Sequence, residues 1–259
     1  MMPVDLSKRV FGLVACVAFL TLAACTSVPK DSASKKAPAD AEQTADADPL
    51  YGFNHAMYEF NYGFDIAILK PITTGYRAIV PESGREMVSN FVENLYTPVV
   101  FANSVFQADP ENSFATLWRF LLNTTFGGGG IYDFATNQAG LHNRPADFGQ
   151  TLAIYGVAPG PFLELPVIGP SDIRDGFGRL ADAFLTPTNY GTIWLSGSVW
   201  AGTAIDARSR NMKLIDGVYD SSIDPYATFK SLYTQKRASD ITRAKAARKK
   251  SIEKACTVQ

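Results

Sequence analysis

Four consecutive glycines, at positions 127–130, close the most regular helical stretch of this 259-residue chain. They constrain it more than any other feature. Asp109 and Pro110 supply an N-cap and a first-turn proline. Phe114, Leu117, Trp118, Leu121, Leu122 and Thr125 then recur at three–four spacing, which predicts a helix. One glycine would stop that helix. Four imply a sharp reversal or a very close approach of another segment, because glycine takes positive φ without steric cost. A phosphate-binding loop does not fit. Such a loop opens a helix and ends in Gly-Lys-Ser/Thr, whereas these glycines follow the helix and lead into Ile131, Tyr132 and Asp133.

Other helices are predicted on both sides. Phe53, Met57, Phe60, Phe64 and Ile68 form a stripe, with Tyr58 and Tyr62 on a second edge, and Pro71 is expected to stop it. Ser83 and Glu86 read as a capping box for a helix carrying Met87, Phe91, Asn94 and Leu95, with Pro98 as its end. Asp172 reads as the cap of a helix bearing Ile173, Phe177, Leu180, Ala181, Phe184 and Leu185, ended by Pro187. Residues 190–205 are uncharged and hold Trp194 and Trp200. They fall short of the roughly 20 apolar residues that a membrane span needs, but suit a helix lying in a bilayer or lining a core. Two short helical pieces are expected to meet at Asp224-Pro225. The cation-rich stretch 236–254 reads as a solvated helix, or alternatively as a contact for anionic headgroups or a periplasmic partner. Residues 150–170 are the one candidate hairpin or reentrant loop.

The N-terminus has a different character. Lys8 and Arg9 precede the apolar run "VFGLVACVAFLTLAAC", the layout of a secretory signal peptide. Its end, Leu22-Ala23-Ala24-Cys25, resembles a bacterial lipobox, which implies cleavage before Cys25 and acylation of that residue. Thr26, rather than Asp, after the cysteine implies the outer membrane in the lipoprotein-sorting pattern. Residues 26–48 lack the apolar content to offset ordering entropy and read as a flexible tether. Of three cysteines, cleavage removes Cys16 and acylation consumes Cys25. Cys256 is left with no partner for an internal disulfide.

Composition excludes several classes. A net charge of −1 gives no reason to expect nucleic acid. The two histidines, His55 and His142, have no neighbouring ligands for zinc, so no metal is expected. No nucleophile–base arrangement and no G-x-S-x-G elbow is present, so no catalytic residue is assigned. Gly176-Phe177-Gly178 superficially fits a dinucleotide fingerprint but sits inside a helical stripe with no strand before it.

Five stretches together carry a resemblance. "DPLYGFNHAMYEFNYGFD" (48–65), "NFVENLYTPV" (90–99), "RFLLNTTFGGGGIYDFA" (119–135), "FGQTLAIYGVAPGPFLELPVIGPSDIRDGFGRLAD" (148–182) and "SSIDPYATFK" (221–230) resemble, in order, the MlaA (VacJ) lipoprotein family. The resemblance covers about residues 48–235. It implies an all-α, ring-shaped bundle of short amphipathic helices with one hairpin or reentrant loop, embedded in the periplasmic leaflet of the outer membrane. Mislocalised phospholipids would pass from the outer leaflet through a central channel to a periplasmic carrier of the MlaC type, beside a trimeric porin, with no cofactor.

Carried onto this sequence, the resemblance implies lipidation at Cys25 and a channel hairpin at Tyr155, Gly156, Val157, Gly160 and Pro161. It implies a structural turn at Asn123, Gly127, Gly129, Gly130 and Asp133, and a gating helix at Asn54, Met57, Tyr58, Phe60 and Asn61. Ala158-Pro159, where some relatives have a further glycine, is expected to stiffen the hairpin. The implied organisation is a signal peptide (1–24), an anchored linker (25–48), the family domain (49–235) and a basic tail (236–259). The alternative reading is a structural porin partner that moves no lipid. A lipid-modifying enzyme is disfavoured for want of a nucleophile–base pair.

Overall fold

The computed structural model describes residues 48–257. The expected signal peptide, Cys25 and the tether to residue 47 lie outside the described residues. The first helical run has three parts: α1 (Tyr51–Phe64), a π-helical turn (Asp65–Leu69) and α2 (Lys70–Ile79). Pro71 therefore does not stop the run, as the sequence suggested. It occupies the first turn of α2, where an N–H is dispensable, and the wider π turn before it takes up the change in pitch.

A similar correction holds for α3 (Glu82–Phe106). No side-chain capping box forms, because Pro81 already occupies the extended cap position and Ser83 lies inside the first turn. Pro98 sits within the helix instead of ending it. The second half stays helical because it buries Val99, Asn103 and Ser104 against the elements that follow.

The aspartate caps do form. Asp109 accepts from the Asn112 N–H at 3.0 Å to open α4 (Pro110–Thr125). Asp133 caps α5 (Phe134–Ala139), and Asp147 caps α6 (Phe148–Ile154) through the Gln150 N–H at 2.8 Å. Two four-residue strands, β1 (Phe162–Leu165) and β2 (Gly169–Asp172), pair antiparallel from Phe162↔Asp172 to Leu165↔Gly169. Asp172 then caps α7 (Ile173–Leu185). A 3₁₀ turn (Pro187–Tyr190), α8 (Ile193–Arg210) and α9 (Met212–Ser221) follow.

The last helix, α10 (Pro225–Thr257), begins at the expected Asp224-Pro225 break but is not short. It runs unbroken through position 236, and Arg237, Arg248 and Ser251 fasten the cation-rich half to the body. The helix expected over 236–254 therefore forms, docked through these residues, while Lys236, Arg243 and Lys249 remain exposed.

The helical stripes read from the sequence exist, but they face outward. The largest fully buried side chains among the described residues are Asn54, Asn103, Thr73, Asp206, Ser104, Ser171 and Ser209. Phe60, Trp118, Phe126, Phe177, Leu180, Phe184 and Trp194 are all more than half exposed. Ordinary water-facing domains place these classes the other way round. No helix among the described residues is long and apolar enough to cross a membrane. The observed architecture is an all-α bundle with one hairpin, its elements closing round a cavity.

Candidate functional site

The largest functional candidate is a cavity of about 550 Å³. Tyr58, Asn61 and Tyr62 of α1, Asp65 of the π turn and Tyr96 of α3 form one side. Glu164, Val167 and Ile168 of the hairpin, Trp200, Thr203 and Arg208 of α8, and Tyr219 of α9 form the rest. Aromatic and aliphatic walls with a few fixed charges are the usual make-up of a site for an amphiphile. A second, polar cavity of about 270 Å³ lies between α3 and α4, with Glu93, Asn94, Arg119, Asn123, Asp133 and Arg210 on its walls. Tyr96 and Thr203 line both spaces, so the two are neighbours across α3 and α8 with these side chains between them.

Two charges in the larger cavity are neutralised by each other. The Arg208 guanidinium grips Asp65 through Nε at 2.7 Å and Nη2 at 2.9 Å, and Nη2 also reaches Asp216 at 2.6 Å. Burial opposes ionisation of Asp216, but Arg208 and Lys70 together hold its carboxyl below the usual range. The π turn serves this pair, since Asp65 begins it and is buried. Widened turns of this kind are frequent at functional sites. Glu164 behaves differently. Burial pushes its carboxyl up to about 7, against the hydrogen bond from Asn61.

The expected gating-helix residues divide into two groups. Asn54, Tyr58 and Asn61 face inward, while Met57 is half-buried and Phe60 is exposed on the outer surface. The two asparagines are clips for the hairpin. Asn54 donates to the Phe162 carbonyl at 3.0 Å and accepts from the Glu164 N–H at 2.8 Å. Asn61 donates to Glu164 Oε1 and to the Leu165 carbonyl, both at 2.9 Å, and accepts from the Val167 N–H at 2.6 Å. The seven-residue separation puts both clips on one face of α1, two turns apart.

The expected hairpin residues are displaced. Tyr155, Gly156, Val157, Gly160 and Pro161 form the connection between α6 and β1, and none of them lines either cavity. The ladder starts one residue later, at Phe162, and it is Glu164 to Pro170 that reach the cavity. Glycine and proline rightly marked irregular backbone at 155–161. Gly156 has φ +92° and Gly160 φ +71°. The stretch is anchored rather than free. Tyr155 donates its hydroxyl to the Phe106 carbonyl at 2.7 Å and lies under the Arg248 guanidinium, and the Pro159 and Pro161 carbonyls accept from the first N–H groups of α7.

The expected turn residues are brought together. The Gly130 N–H donates to the Asn123 carbonyl at 2.8 Å, reversing the chain at the end of α4. The Asn123 side chain donates to Asp133 Oδ1 at 3.0 Å and accepts from the Ala135 N–H at 2.8 Å. Arg119 completes the knot with an ion pair to Asp133 at 3.2 Å. Asn123 and Asp133 thereby become wall residues of the polar cavity. Glu164, Arg208 and Asp65 were not singled out as site residues from the sequence. The available signal was a lone carboxylate inside the apolar runs "GPFLELPVIGP" and "NYGFDIAILKP".

Known proteins are similar to this chain over most of its length. Residues 46–240 match the family model described as MlaA lipoprotein. The intermembrane phospholipid transport system lipoprotein MlaA of Escherichia coli is 36% identical over 198 residues, covering 75% of this chain and 78% of that protein. The protein of the same description from Haemophilus influenzae is 33% identical over 196 residues, covering 73% and 76%. A solved structure described as the structural basis for maintenance of bacterial outer membrane lipid asymmetry is 35% identical. It superposes with a TM-score of 0.67 and covers 75% of this chain and 99% of that one.

Proposed function

This chain belongs to the MlaA lipoprotein family, and from that premise we propose that it carries mislocalised phospholipids out of the outer leaflet of the outer membrane. The lipids then pass to a periplasmic carrier of the MlaC type for return to the inner membrane, without covalent change. The proposal places the chain as an outer-membrane lipoprotein, anchored at Cys25 in the periplasmic leaflet after removal of residues 1–24, beside a trimeric porin. The observation that carries it is the pair of neighbouring cavities, one apolar-walled and one polar, inside a body that exposes many large apolar side chains. A phospholipid needs both environments along one path. The hairpin is the gate in this reading, held on α1 by Asn54 and Asn61.

The apolar surface makes a direct prediction. Trp118, Trp194 and Trp200 are 55%, 83% and 50% exposed. On transfer from detergent to vesicles of brominated phospholipid, their emission is expected to fall by roughly half or more, as rings at bilayer depth meet bromine. Emission unaffected by bromine would contradict a lipid-facing surface.

The function itself is tested on intact cells. Deletion is expected to raise the outer-leaflet phospholipid accessible to an added, non-penetrating phospholipase, and restoration of the chain should reverse the rise. An unchanged outer leaflet would favour a structural lipoprotein that supports a porin and moves no lipid.

A further inference from the structure

We propose that the larger cavity selects zwitterionic phospholipids that carry an ammonium headgroup, with Glu164 receiving the ammonium and Arg179 the phosphate. This deepens the transport reading and rests on it. Four charged side chains line the cavity: Asp65, Arg208, Glu164 and Arg179. Asp65 and Arg208 are consumed by their own ion pair. That leaves one anion and one cation, of opposite sign and both attached to the hairpin.

Glu164 sits on β1 and is 3% exposed. Asn61 occupies its Oε1, and no Lys or Arg lies within ion-pair distance of it among the described residues. Arg179, on α7, is exposed and reaches back to the hairpin by donating to the Pro170 carbonyl at 3.3 Å, again with no carboxylate partner among the described residues. A buried carboxylate is costly, and the cation that acts on this one, Arg179, stays beyond ion-pair distance, so an arriving ammonium would find Glu164 without a direct charged partner. A headgroup bearing phosphate and ammonium presents both complements at once. An anionic headgroup without an amine supplies nothing for Glu164 and brings further negative charge towards it.

The titration of Glu164 is consistent with that role. Its carboxyl is raised by burial to about 7, and an ammonium within hydrogen-bond reach would restore the charged form. The groups facing it are Tyr58 and Asn61 from α1, Tyr226 from α10 and Arg179 from α7. The tyrosines are pushed further up by burial, so neither changes charge between pH 5 and pH 8. His55 packs against both of these rings from α1.

The full, acylated chain in detergent is equilibrated with equal amounts of phosphatidylethanolamine and phosphatidylglycerol of matched acyl chains, and the retained lipids are weighed by mass spectrometry. Wild type at pH 8 is expected to retain the amine lipid about fivefold over the other, the yield of one charge-assisted hydrogen bond after its desolvation cost. E164Q keeps an acceptor for Asn61 and should bring the ratio to within about twofold of the input. Wild type at pH 5 should do the same with no substitution, so the result does not depend on how the variant folds. R179Q should lower retention of both lipids, and because Arg179 also favours the charged form of Glu164, it should reduce their ratio at pH 8 by less than E164Q does. A wild-type ratio equal to the input, or a preference that survives both E164Q and pH 5, overturns the proposal while leaving transport standing. Failure of wild type to retain either lipid overturns both.

Discussion

Replacing Gly130 with alanine is expected to cost about 4 kcal/mol, a large share of the stability of any domain of this size. Two penalties combine. The backbone sits at φ +96°, where a Cβ is strained by about 1–2 kcal/mol. The added Cβ would also lie 2.4 Å from Asn94 Cβ and 2.6 Å from its Cγ. Asn94 cannot move aside cheaply. It is buried on α3 and donates to Thr124 Oγ1 at 3.2 Å and to the Gly129 carbonyl at 3.3 Å. Gly127 is equally closed, since a Cβ there would meet the Tyr132 carbonyl oxygen at 2.2 Å. Gly128 and Gly129 supply the internal control. Both have positive φ, yet nothing lies within 4 Å of a Cβ on either, so alanine should cost only about 1 kcal/mol at each. Thermal unfolding of the four single variants in detergent tests the contrast. If G130A melts together with G128A, close packing against Asn94 is not what these glycines provide.

Removing Arg237 is expected to cost about 3–5 kcal/mol and to release the far half of α10. Its guanidinium grips Asp147 with two bonds of 2.7 Å and pairs with Asp175 through Nε. Asp175 also accepts from Arg174 and from the Tyr233 hydroxyl, and Asp172 lies in the same cluster. R237A therefore leaves Asp147, the cap of α6, and Asp175, in the first turn of α7, without their main counter-charge. R237K retains charge but loses the planar fork, and should fall between.

The pH dependence follows in sign. Burial opposes ionisation of Asp147 and Asp175, but Arg237 overcomes it and both carboxyls are held below their usual value of 3.8. Their stabilising contribution is complete above 3.8 and disappears as pH falls through the lowered folded values. The gap between wild type and R237A, read by denaturant unfolding, should be full at pH 7 and shrink below pH 3.8. Amide exchange should accelerate in α10 beyond position 237 in the variant. A gap independent of pH would mean that Arg237 acts through packing and not through charge.

Local chemistry was legible wherever a short-range rule decides the outcome. Asp109 and Asp172 cap helices because a carboxylate before a helical run has orphan N–H groups beside it. The glycines after α4 turn the chain for the reason their sequence position suggests. Gly178, part of a discounted dinucleotide-like motif, proves to be a contact point, where a Cβ would lie 2.4 Å from the Gly149 nitrogen. Pro71 and Pro98 misled because tertiary packing overrides propensity when the rest of a helix has something to bury. Strands of four residues, "FLEL" and "GPSD", are too short to show alternation, so the ladder could not be separated from the loop before it. Periodicity identified which residues share a helix face. It does not say which medium that face meets, and here the apolar faces of α1, α4 and α7 meet the outside.

That reversal bears on when such a chain can fold at all. In water, collapse is driven by withdrawing oily side chains from solvent. This body leaves its oiliest residues outside and gathers asparagines, serines and paired charges within. Water thus gives this arrangement less of the usual driving force than it gives a domain with its oily residues inside. On the function proposed above, hydrocarbon around Phe184, Trp194 and their neighbours would supply the advantage that water withholds. Folding would then be completed on reaching the bilayer, and those rings would need shielding until that point.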